Sequence, residues 1–135
     1  LPSLATLAGI CERVGADDHA AALLGLLLPY VERNVSGGGS FTCLGPVALS
    51  VGALAAQLRR WPEAEAHYRS ALVLADRMEA PLFTVEAQLG LAHCLAQRDE
   101  REQSSELLAG ALATAEACGM FRLTALAADL RRSLA

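Results

Sequence analysis

Lysine is absent: all 11 basic residues are Arg. That excludes a P-loop Lys, a Schiff-base Lys and a Ser-Lys nucleophile pair. Aromatics make up only 4% of the 135 residues, and Ile10 is the sole isoleucine. With so few of the side chains that favour strands, the abundant Ala and Leu point to helices. Cys11, Cys43, Cys94 and Cys118 show no CxxC and no Cys/His ligand spacing, so buried reduced thiols in a cytoplasmic protein are expected, with no metal or cofactor. No apolar run is long enough to span a bilayer. A net charge of −4 argues against direct contact with nucleic acid.

What is present reads as seven helices. The first runs from about Pro2 to Val14 and ends at Gly15. The second, capped by Asp17, continues past a kink at Pro29 to about Arg33. Asn34 to Ser40 reads as a glycine loop, followed by a helix that Thr42 caps, or that Gly45 and Pro46 delay, running to about Arg60. Further helices follow from Pro62 to Glu79 and from Pro81 to Ala96. A polar turn from Gln97 to Gln103 precedes the sixth, which ends at Gly119, and the last covers Arg122 to Leu134.

Two internal matches suggest a repeat. Ser70–Met78 aligns with Gly110–Cys118 at a shift of about 40, and Ser50–Ala55 aligns with Gln88–His93 at about 38. Gly52, Ala64, Tyr68 and Ala71 follow the tetratricopeptide order of small and large residues. Gly90, Ser104, Leu108 and Ala111 form a second copy, and Gly9, Ala20, Leu24 and Leu27 a weaker third. The expected fold is all-α, with no sheet: a tetratricopeptide-like α-solenoid with helix pairs at about 2–33, 42–79 and 82–118 and a capping helix at about 121–134. A compact bundle with similar apolar stripes is the alternative.

Candidate chemical groups have plain structural readings. Glu63 and His67 are i, i+4 neighbours and suit a surface ion pair. His93 and Cys94 suit a packed helix rather than a nucleophile pair. A Gly37-Gly38-Gly39 anion cradle lacks the strand and Lys of a phosphate loop. Trp61 suits a plug between the third and fourth helices. No nucleophile–base pair supports an enzyme.

From Leu27 onward the chain resembles the tetratricopeptide-like C-terminal region of large bacterial signalling ATPase regulators, which carry adenylyl cyclase-like or LuxR-type domains. The resemblance rests on Pro29, Tyr30 and Arg33, then Gly45 and Val47, then Arg60, Trp61, Glu63, Ala64, His67, Tyr68, Ala71 and Leu72. It implies a non-catalytic regulatory arm at the C-terminal end of a larger protein. A concave face formed by the first helix of each pair would carry Leu49, Ala53, Gln57, Thr84, Ala87 and Leu91. This face is expected to bind a protein segment or another domain of the parent regulator, with homodimerisation possible. The alternative function is a small-molecule effector sensor binding between helix pairs.

Overall fold

The structure, a computed structural model, describes residues 1–37 and 42–134. It contains α1 (Pro2–Val14), α2 (Asp17–Leu27), a 3-10 turn (Leu28–Tyr30), β1 (Asn34–Gly37) and β2 (Thr42–Pro46). These are followed by α3 (Val47–Gln57), α4 (Trp61–Arg77), α5 (Pro81–Gln97), α6 (Arg101–Ala117) and α7 (Phe121–Leu134). The mostly helical expectation holds at this level.

The expectation of no sheet does not. β1 pairs antiparallel with β2, with Val35 opposite Gly45 and a bulge between Val35 and Ser36. The segment 34–37, expected as loop, is a strand because Val35 drives its side chain into the main core. Gly38, Gly39 and Ser40 of the expected loop and anion cradle lie outside the described residues. Thr42 sits in β2, four residues before the N-cap position of the next helix. Gly45 has φ +100°, and a Cβ there would lie 2.8 Å from the Phe83 ring, so a side chain is excluded on both counts. Pro46 then ends the ladder and is the N-cap residue of α3. The Val47 amide closes the base of the hairpin on the Arg33 carbonyl at 2.9 Å.

Two other boundaries differ. α2 stops at Leu27, and Pro29 sits in a 3-10 turn instead of kinking a continuous helix. Asp17 lies inside α2, whose N-cap is Ala16; its carboxylate instead accepts a hydrogen bond from Gln57 Nε2 at 2.8 Å.

From α3 onward the connections are strictly periodic. Arg59, Glu79, Asp99 and Gly119, spaced 20 residues apart, each adopt positive φ. The next amide in each turn, of Arg60, Ala80, Glu100 and Met120, donates to a carbonyl five residues back: Ala55, Ala75, Leu95 and Ala115. This is the Schellman closure, and it satisfies the last helical carbonyls without a side-chain cap. Each turn is three residues long, and α4, α5 and α6 are each 17 residues. Within the polar segment 97–103 the turn itself is only 98–100, the same length as the others.

Each helix packs on the next in the chain, while α1, α3, α5 and α7 also pack in series. The main core joins α1 through α5 around Leu24, Leu54, Tyr68 and Leu95. A second cluster of Val85, Ala111, Ala115 and Leu123 joins α5, α6 and α7. Between helices the contacts are close because the meeting residues are small: Ala64, Ala71, Ala75, Ala111 and Ala115 are fully buried. Ser104 stands 40 residues after Ala64 and is equally buried; its hydroxyl donates to the Ala92 carbonyl at 2.7 Å and pins α6 to α5.

Candidate functional site

A groove of about 970 Å³ runs along the face formed by α1, α3, α5 and α7, with Leu44 and Pro46 of the hairpin at its edge. Its lining repeats with the turns. Leu49, Ser50 and Ala53 of α3 moved on by 40 become Leu89, Gly90 and His93 of α5, then Asp129, Leu130 and Ser133 of α7, and all nine line the groove. In α1 the equivalent offset is 44, the interval from Gly15 to Arg59, which places Ala5, Gly9, Glu12 and Arg13 there.

This register locates the six residues expected on the concave face. Leu49, Ala53 and Gln57 line the groove, whereas Thr84, Ala87 and Leu91 do not. Ala87 is packed with Ala48 and Ala71, Leu91 lies in the main core, and the half-buried Thr84 hydroxyl donates to the Ala80 carbonyl at 3.2 Å. A shift of 38 carries Leu49 and Ala53 to Ala87 and Leu91, so a two-residue error turned the α5 face by some 200°, at about 100° per residue. The α5 wall is Glu86, Leu89, Gly90 and His93.

One groove residue comes from outside these four helices and the hairpin. Tyr68 belongs to α4, yet its ring passes between α3 and α5 to reach the groove. Two glycines leave the slot. A Cβ on Gly52 would lie 3.1 Å from the ring, and one on Gly90 only 2.3 Å from Cε1 and Cζ. Gly9, expected to play the same part in α1, has nothing within 4 Å, so the close approach there belongs to buried Ala8.

The Tyr68 side chain is 7% exposed. Hydroxyls and thiols of Cys11, Thr84 and Ser104 find backbone acceptors, but the Tyr68 hydroxyl has no partner among the described residues. Burial, followed by Cys94 and Glu12, pushes its pKa upward, so it remains protonated. Glu12 on the α1 wall and Glu86 on the α5 wall are both raised, chiefly by desolvation. Arg13 opposes the shift at Glu12, while Arg122, 3.8 Å from Glu86, opposes it there and Glu12 adds to it. Glu12 is exposed, and the Glu86 side chain is 34% exposed, so both carboxyls also meet solvent. Gln57 spends its amide donor on Asp17, leaving its buried Oε1 without a donor.

The remaining candidates fall elsewhere. His93 is exposed on the groove wall, edge-on to Trp61 with ring centroids 5.7 Å apart, and burial of its ring environment lowers its pKa. Cys94 points into the core, where burial pushes its thiol up to about 11, so it is no thiolate at neutral pH. Trp61 is half-buried against the main core. Cys11 is buried as well, but Cys43 and Cys118 are exposed, against the expectation of four buried thiols. Glu63 lies 3.6 Å from Arg60, and desolvation lowers the pKa of His67 against the pull of Glu63. Glu65 bridges Arg69 on its own helix and Arg98 at the end of α5, tying the two helices together. No group of three metal-ligating side chains occurs among the described residues, and no helix there is long and apolar enough to cross a membrane.

No family model, curated protein or solved structure matches the chain.

Proposed function

We propose that this chain is a tetratricopeptide-like helical-repeat scaffold that docks a protein segment in the α1–α3–α5–α7 groove. In this reading it is a non-catalytic, cytoplasmic arm at the C-terminal end of a bacterial signalling ATPase regulator. The observation that carries the docking role is the recurrence of the groove lining every 40 residues. Side chains that recur in step with the turns belong to a surface built by stacking, the kind that binds extended or helical segments. The 40-residue period exceeds the 34 of an ordinary tetratricopeptide repeat, and about three extra residues per helix account for the difference. Serial packing of alternate helices favours a row of pairs over a compact bundle.

The groove floor is suited to a helix because the half-buried Ala5, Ala53 and Ala56 let another backbone approach closely. A photo-crosslinking residue at Ala53, with a control at exposed Ser105 on α6, tests this in the full reading frame. Crosslinks to a polypeptide are expected from position 53 alone. Equal crosslinking from both positions, or none from 53, rejects the docking surface.

A second reading has one observation in its favour. Tyr68, Glu12 and Glu86 converge polar atoms on a mostly apolar cleft, as ligand sites do. A small-molecule effector would raise the melting temperature in a thermal-shift screen by mass action.

A further inference from the structure

Resting on the groove as a docking surface, we infer that its polar centre, formed by the Tyr68 hydroxyl and the carboxylates of Glu12 and Glu86, receives an Arg side chain projecting from the docked segment.

The slot between Gly52 and Gly90 is the first ground. A helix pair can be closed with Leu at the Tyr68 position, as Leu108 closes the next one 40 residues on, buried at 1% exposure. Here an aromatic takes that place, and both flanking positions are Gly, which weakens a helix interior. The result is a phenol whose ring is core and whose hydroxyl is left, 93% of the residue being buried, facing the groove without a partner among the described residues. The hydroxyl opens onto the groove and is not sealed from solvent, so a ligand group can replace water on it.

The second ground is charge. Glu12 and Glu86 approach from opposite walls and each holds its proton more tightly than a free carboxyl, chiefly through desolvation. The cations nearby do not reverse that. Arg122 is 72% exposed and 3.8 Å from Glu86, and Arg13 next to Glu12 is also exposed. Asp129 is held by Arg132 on the same helix, and His93 is shifted toward its neutral form. Two carboxylates and a phenol oxygen make a set rich in acceptors and short of donors. A guanidinium supplies five N–H groups in a plane and is weakly hydrated, so it meets several acceptors at small desolvation cost. The apolar residues Leu49, Leu89, Leu126 and Leu130 around this centre suit the rest of an amphipathic helix.

The test uses the whole 135-residue chain and four probes, with affinities read by calorimetry. Three are one amphipathic Ala/Leu helical peptide carrying Arg, citrulline or Glu at its centre, and the fourth is free propylguanidinium. Citrulline keeps the shape of Arg and removes its charge. The Arg peptide is expected to bind about tenfold tighter than the citrulline peptide, with the Glu peptide weakest. Glu12→Gln with Glu86→Gln should shrink the Arg preference to less than about twofold. Tyr68→Phe, which keeps the ring and the fold, should lower it by a few-fold, whereas Glu106→Gln on the exposed side of α6 should not change it. Equal binding of the Arg and citrulline peptides overturns the inference and leaves the docking reading standing. Binding of propylguanidinium alone, lost in the double Gln variant, overturns the peptide source and favours the effector reading. Failure of all four probes overturns both.

Discussion

At the scale of single residues, the decisive contact is Tyr68 against Gly90. Ala at 90 would gain about 1 kcal/mol of helix propensity, but its methyl would need to occupy space 2.3 Å from the Tyr68 ring. Overpacking of that kind costs about 1–3 kcal/mol, and the ring is fenced on its other side by Gly52. Gly90→Ala should therefore lower the melting temperature. Gly52→Ala, where the clearance is 3.1 Å, should come close to neutral. Tyr68→Leu should rescue Gly90→Ala, so a thermal double-mutant cycle should give coupling of about 1 kcal/mol or more. Independent effects would mean that the ring does not fill the slot.

The two groove carboxyls make a further prediction with a definite sign. Each has a folded pKa above its ordinary value of 4.5, so the folded chain binds these protons more tightly than the unfolded chain. That contribution to stability is complete on the acid side and disappears as pH rises through the folded pKa. Arg13 and Arg122 reduce the shifts without cancelling them. Glu86→Gln should therefore be more stable than the parent at pH 7, by less than about 1 kcal/mol because the site is partly solvated. The gain should vanish below about pH 4. Denaturant melts at pH 3.5 and 7 provide the comparison, and equal gains at both would show that the charge is not the cause.

At the scale of elements, the turns set the register, and three of them do so at a cost. Arg59, Glu79 and Asp99 occupy the left-handed position that Gly119 fills without strain. Replacing Glu79 by Gly should relieve that strain and stabilise the chain by up to about 1 kcal/mol, net of the extra freedom Gly has when unfolded. Arg59→Gly should act similarly and additively in chemical denaturation, because the two turns are distant from each other. A loss of stability would mean that these side chains make contacts worth more than the strain.

The same turns explain what could be read in the sequence. Gly15 and Gly119 announce two helix ends, and the match of Ser70–Met78 to Gly110–Cys118 contains the true 40-residue period. The turns at Arg59, Glu79 and Asp99 carry no glycine, so Pro62, Pro81 and the polar run Gln97–Gln103 mark their neighbourhood but not the residue that fixes the register. Gly52 and Gly90 align attractively at 38 because both serve one tyrosine, and that coincidence misplaced half the expected concave face. The hairpin was hidden for a different reason. Val35 is the only β1 side chain driven into the core, and a strand anchored by one residue leaves no alternating pattern to see.

At the scale of the molecule, the division of the core makes its own prediction. The buried members of the main cluster end on α5, with only half-buried Leu107 of α6 packed against them, and the cluster centred on Ala111 and Leu123 holds α6 and α7 to the other side of α5. If stability is a sum over neighbouring pairs, damage at one end should stay there. Leu123 is 4% exposed, and truncating a buried Leu to Ala costs about 2–5 kcal/mol. Hydrogen exchange on Leu123→Ala should then show α6 and α7 losing protection, while α2, α3 and α4 keep theirs. A compact bundle would instead transmit the loss to every helix, because each would share the damaged core. The groove sharpens the comparison, since α7 forms one end of it and α1 the other. In the stacked arrangement Leu123→Ala should weaken contacts at the α7 end while leaving Ala53 and Tyr68 in place. Uniform exchange across all helices would reject the row of pairs, and with it the reason for reading the groove as a repeat surface.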